Sequence, residues 1–259
     1  MAAQKVVRFE RPPVQSVALT VYFEPISGLQ VSHFSALRES WRNAYPSTSE
    51  LPPLRPQNRG GEETRLLPVA GAWPFPYLLF SSKDETSSIA LQNDRFSRGW
   101  VFNSDGDDKY PGFDELSRDL RERLDEVRDV IKAETGETIK PVGSTCTYFN
   151  RLPDMSLLET LVGFTSRWQV PVGEAESPKT TYAGARLHLC DDDDLDGCSV
   201  TMSVDVDDDG TYMSIESSYD LGDEQVDDLG GLDRAHDMLI AKFIEYTSGT
   251  MHEQWGRTE

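Results

Sequence analysis

The stretch CDDDDLDGC, residues 190–198, sets five carboxylates between two thiols within nine residues. That density invites four chemistries: a cation site, a disulfide-closed loop, an imitation of a phosphate chain, or an exposed turn between two strands. A calcium loop can be tested position by position, because it needs oxygen ligands at fixed spacing and a bidentate carboxylate at its twelfth position. DDDLDG, residues 192–197, matches the opening of such a loop, but its twelfth position is Ser203, which has no carboxylate to give. DVDDDGTYMSIE, residues 205–216, matches throughout, with Asp205, Asp207, Asp209, Gly210 and, twelfth, Glu216. Its context points elsewhere. An EF-hand loop is flanked by helices, whereas Val200, Met202, Val204 and Val206 alternate into this segment as a strand. DDDG is also a hairpin connection, in which Gly takes left-handed backbone and Asp accepts backbone hydrogen bonds.

The same reasoning makes RLHLC and CSVTMSV two strands and DDDDLDG the exposed turn that joins them. No metal is therefore assigned, and Asp205, Asp207, Asp209 and Glu216 stand as the calcium-ligand candidates. The carboxylates of Asp191, Asp192, Asp193, Asp194, Asp196, Asp207, Asp208 and Asp209 are expected to face solvent, where a partner can reach them. Cys190 and Cys198 flank the hairpin mouth, placed for a disulfide under oxidising conditions and as free thiols under reducing ones. His188 beside them makes three potential zinc ligands without a C-x-x-C pair, which a plain cross-strand neighbourhood accounts for.

Elsewhere the chemistry-bearing residues are sparse. His33 and His236 fall in amphipathic helical patterns, where a histidine ordinarily packs or faces water, and His252 lies near the end of the sequence. No G-x-S-x-G, G-x-G-x-x-G, Walker loop or H-E-x-x-H occurs, so no catalytic residue and no cofactor is expected. In YFNRL, residues 148–152, Asn150 and Arg151 close a buried-looking strand. They serve either as ligand contacts in a cleft or as the strand's polar end, with Arg151 in a surface ion pair.

The formal net charge of −20 is concentrated. Residues 191–233 hold sixteen Asp or Glu and no Lys or Arg, so this window carries −16 and the other 216 residues carry −4. Such a field repels nucleic acid backbones and anionic membranes, and it attracts basic protein surfaces. Direct nucleic acid binding through the acidic face and membrane binding are both set aside. No apolar run approaches the length of a spanning helix, and the start of the sequence lacks the apolar core of a secretory signal. With an odd three cysteines besides, the expected location is the cytoplasm.

The elements that must position these residues follow from periodicity. VQSVALTVYF alternates Val17, Leu19, Val21 and Phe23 against Ser16, Ala18, Thr20 and Tyr22, a half-buried strand opened by Pro12 and Pro13. Val31, Phe34, Leu37, Trp41 and Tyr45 fall at helical spacing, stopped by Pro46, and residues 46–63 read as a long loop. YLLFSSKDETSSIALQ is a hairpin turning near residues 83–85, and FSRGWVF is a further strand. Phe113, Leu116, Leu120, Leu124, Val127 and Ile131 mark the clearest helix, with Gly136 as its stop. PVGSTCTYFNRL, YAGARLHLC, CSVTMSVDV and TYMSIESS are strands, and a last helix runs through Leu232, Ala235, Leu239 and Phe243 toward Trp255. Strands arriving in runs define an α+β protein with a largely antiparallel sheet and three amphipathic helices. The 259 residues make a single globular unit with halves at 1–139 and 140–259, each a run of strands closed by a helix, as in a pseudo-repeat.

The order of landmarks carries a resemblance. Pro12 and Pro13 at a strand start, AYP after the first helix, LQNDRFSRGW, YPGFDELSRDL and YFNRL together resemble a sporadically distributed family of uncharacterised bacterial proteins, over nearly the whole chain. The patchy distribution of that family implies mobile genes, the company of toxin–antitoxin, immunity and phage-defence components. The first expectation is thus a non-catalytic interaction protein of that type, engaging a basic protein partner through its acidic surface. A second is a hydrolase or transferase with a cleft between the two halves, and a third is an acidic mimic of DNA that blocks a DNA-binding enzyme.

Overall fold

Burial in β2 (Val14–Phe23) alternates along the strand, with Val17, Leu19, Val21 and Phe23 buried while Ala18 is exposed. Among the described residues one face of the sheet is therefore covered and the other carries partly or fully exposed side chains, which is the arrangement of a two-layer α+β protein. The computed structural model describes residues 8–55, 75–102, 109–152, 183–190, 197–207, 210–222 and 229–258.

Nine strands form one antiparallel sheet in the order β3-β4-β5-β6-β2-β7-β10-β9-β8. Around β2 these are β3 (Ser47–Leu51), β4 (Tyr77–Ser81), β5 (Ser87–Gln92) and β6 (Arg95–Val101) on one side. On the other lie β7 (Pro141–Arg151), β8 (Ala183–Leu189), β9 (Cys198–Asp207) and β10 (Gly210–Asp220). The central pair, β2 with β7, sets Leu19 opposite Cys146 and Val17 opposite Tyr148. This pairing joins strands from residues 1–139 and from residues 140–259 in one continuous ladder. On each side of it the later strands return from the sheet edge toward the centre, β4-β5-β6 to β2 and β8-β9-β10 to β7.

Two long helices cover the apolar face. α2 (Phe113–Thr135) buries Leu116, Leu120, Leu124, Val127 and Ile131, steps of three or four that form a single stripe, and it ends at Gly136 in left-handed backbone (φ 75°). It is fixed over β6 by Arg98, whose Nε donates to Asp119 Oδ2 at 2.6 Å. α3 (Leu232–Tyr246) buries Leu232, Ala235, Leu239 and Phe243 and lies over β7, β9 and β10. A shorter α1 (Ser35–Trp41) follows a 3-10 turn at Val31–Phe34 and sends the Trp41 indole to the α2 carboxylate of Glu126.

Three elements differ from the sequence reading. Within the expected loop at 46–63, Ser47–Leu51 forms edge strand β3 on β4. STSEL shows little apolar alternation because only its hydrogen bonds, and hardly any of its side chains, enter the sheet. The expected last helix is two, because Thr247 leaves helical geometry (φ −111°, ψ 150°) and α4 (Gly249–Gln254) starts anew, with Ser248 Oγ accepting from Met251 N. Finally β1 (Arg8–Phe9) pairs with β11 (Arg257–Thr258) in a two-stranded sheet too short to carry a period. The described helices thus number four, three of them of seven residues or more.

Candidate functional site

Tyr148 and Asn150 of β7 point, by strand alternation, to the helix-covered face and border a cavity beside α3 near the end of the strand. The space left there is a pocket of about 600 Å³. The segment entering α2 (Tyr110, Phe113, Asp114) borders it on one side, α3 (His236, Asp237, Ile240) on another, and the Pro12–Pro13 strand start together with Phe9 on a third. Residues from both halves of the sequence therefore meet across it.

The walls are aromatic and interlocked. Phe113, the first residue of α2, stacks on the His236 imidazole with ring centres 3.7 Å apart and planes at 7°. Tyr148 tilts against the same imidazole at 6.0 Å, Tyr110 meets Tyr148 edge-on, and Trp100 backs Tyr110. Gly112 opens the helix with φ 92°, a left-handed conformation that an L side chain rarely adopts, and this turn brings Tyr110 and Phe113 to the same cavity. Phe9, held by the β1–β11 pairing, packs edge-on against Phe243 and Trp255.

Polar groups converge among these rings. The Tyr110 and Tyr148 hydroxyls share a 2.6 Å hydrogen bond, so the pair retains one hydroxyl proton to donate and several lone pairs to accept. Burial pushes both phenols well above the usual tyrosine range, and they stay neutral. Asn150 is buried, its Nδ2 donating to the Met213 carbonyl at 3.3 Å. Burial also lowers His236 to about 4, opposed by the Asp114 carboxylate, so the imidazole is neutral at pH 7. Of the described lining residues only Asp114 and Asp237 are then charged. Asp237 stands at the rim, its side chain 66% exposed, and its own carboxyl is raised by desolvation and by Asp233.

The residues singled out in the sequence are distributed differently. Asn150 lines the pocket, whereas Arg151, one step along the strand, faces the opposite side of the sheet across from Tyr212. The β9–β10 ladder pairs Asp207 with Gly210 and Asp205 with Tyr212, a strand–turn–strand hairpin. Glu216 sits opposite Thr201, four rungs from Asp205 or roughly 13 Å, and accepts a bond from the Thr147 hydroxyl at 3.3 Å. Asp191, Asp192, Asp193, Asp194, Asp196, Asp208 and Asp209, and the side chain of Asp207, lie outside the described residues. Among the described residues no group of three or more His, Cys, Asp or Glu side chains is arranged to hold a metal. His188 bonds the Thr201 hydroxyl on one face of the sheet while Cys198 is buried on the other, and no disulfide joins Cys146, Cys190 and Cys198.

Tyr110, Phe113, Asp114 and His236 were not singled out as a site, because each is ordinary in its own helix or turn and only the packing of α2 beside α3 assembles them. Position held one signal: His236 directly follows buried Ala235 and so sits on the flank of the apolar stripe of α3, where a polar ring can border a cavity. Among the described residues no helix is long and apolar enough to cross a membrane. Comparison of the chain with family models, with curated proteins and with solved structures finds no match.

Proposed function

We propose that this chain is a ligand-binding protein whose pocket, between α2, α3 and the end of β7, receives a small organic molecule. The observation that supports this reading is the convergence of the Tyr110–Tyr148 hydroxyl pair, Asn150 and neutral His236 inside one aromatic cavity of about 600 Å³. Binding pockets are commonly apolar cavities of this size with a few converging polar groups. The walls of this pocket come from residues on both sides of position 139, from Phe9 and Tyr110 to Tyr148 and His236. Among the described lining residues there is no cysteine, serine or lysine to act as a nucleophile, and neutral His236 is stacked on Phe113 with only the exposed Asp237 carboxylate 3.7 Å from its Nδ1, so binding is a better account than catalysis. The test is a screen of metabolite-like fragments for a rise in the thermal midpoint of the full chain, repeated on Ala241→Trp, which fills the pocket from α3. The expected result is stabilisation by a fragment in the wild type that is lost in the variant; binding that is indifferent to the plug would sink the reading.

A second reading is favoured by the −16 carried by residues 191–233. It is an interaction component of the mobile, defence or immunity type that engages a basic protein through this acidic region. Exposed Glu216 and Asp220 on the face of the sheet away from the helices would belong to the same field. A captured partner should be basic and should release as salt rises.

A further inference from the structure

The proposal that the pocket binds a small molecule leaves its chemical class open, and the charge inventory of the walls narrows it. Among the described residues no Lys or Arg lines the pocket, while two carboxylates, Asp114 and Asp237, stand beside the cavity. A phosphate, a nucleotide or a carboxylic acid entering here would lose water without meeting a positive charge, an uncompensated desolvation. Apart from the Asn150 amide and the His236 imidazole, the remaining wall is mainly rings and aliphatic groups, among them Phe9, Tyr110, Tyr148 and Phe243 with Ile240 and Ile244. Aromatic faces attract cations through their quadrupole, and phenolic oxygens accept hydrogen bonds from ammonium protons.

From this arrangement we infer that the pocket takes an organic cation, an amine carried on an apolar ring-bearing body, with the body among the aromatic side chains and the ammonium toward Asp114 and Asp237. This inference rests on the ligand-binding reading above. Neutral His236 fits it, since an imidazolium at that position would repel the same ammonium.

Three probes of one shape separate the possibilities: tryptamine as the cation, indole-3-ethanol as the neutral analogue and indole-3-acetate as the anion. Calorimetric titration of the full chain should show tryptamine binding, the alcohol binding more weakly and the acetate not at all. Asp114→Asn and Asp237→Asn should each weaken tryptamine roughly two- to fivefold, with the double variant losing more, while leaving the alcohol unchanged. Comparing the two probes on one variant separates loss of charge from loss of fold. Equal binding of cation and alcohol, or acetate binding best, would overturn the cation inference and leave the pocket intact. Absence of tryptamine binding alongside an Ala241→Trp-sensitive ligand of another class would do the same. Failure of every ligand in both screens would remove the pocket reading as well.

Discussion

His236 shows how one residue reports on the interior it borders. Its imidazole is flattened against Phe113 and largely out of water, which disfavours the charged form and lowers its pKa to about 4 against 6.5 for the free side chain. A base with a depressed folded-state pKa contributes stability in full above the unfolded value, near pH 6.5. That contribution is lost as pH falls toward 4 and changes little below it. The size is at most about 3 kcal/mol. His252 is lowered too, by burial and by Arg257, and adds in the same direction. Urea midpoints measured from pH 7 down to pH 4 should therefore fall, and His236→Phe, which keeps a ring against Phe113, should flatten that fall. An unchanged acid limb in the variant would show that His236 is solvated. The histidine itself was legible in the sequence as a helical residue. Its environment was not, since nothing in the local pattern of α3 records that the first side chain of α2 lies over it.

At the scale of elements, periodicity served where side chains alternate between core and solvent. β2 and α2 were legible for that reason, and so was the stop at Gly136. It failed where the chain makes structure by hydrogen bonding alone, as in edge strand β3, or where helical spacing continues across a break, as between α3 and α4. The link from β10 into α3 was also not foreseen. Gly230 has φ +66°, and a Cβ there would lie 2.7 Å from the Gly143 carbonyl oxygen, backbone that cannot move aside without disturbing β7. Gly230 O accepts the bond of buried Ser144 at 3.0 Å, so this crossing ties the start of α3 to the sheet. Gly230→Ala combines a left-handed non-glycine residue with a backbone overlap, and it should cost more than about 2 kcal/mol. Chemical denaturation of the purified variant measures this; a loss below 1 kcal/mol would mean that the crossing relaxes freely. Because α3 carries His236 and Asp237, the same variant should also weaken any ligand held in the pocket.

At the scale of the whole molecule the deciding quantity is the charge distribution. A net −20, of which −16 lies in residues 191–233, makes the chain repel itself most strongly in that region. If the carboxylates there are solvated, they add little to folding, and neutralising them relieves repulsion. Replacing Asp191, Asp192, Asp193 and Asp194 together with Asp207, Asp208 and Asp209 by Asn is expected to leave the thermal midpoint unchanged, or slightly raised at low salt. Capture of a basic partner should weaken and become less sensitive to salt. A calcium loop at residues 205–216 makes the opposite forecast, a midpoint that climbs with calcium because the ion binds the native state and that loses this response in Glu216→Gln. The β9–β10 register favours the first outcome. It spreads Asp205 and Glu216 over four rungs of the ladder, where a calcium loop must fold both onto one ion, and Glu216 is already engaged by Thr147. Melting curves with calcium and with chelator, on the wild type and both variants, decide between them; a calcium-dependent rise abolished by Glu216→Gln would require the hairpin to open around the ion.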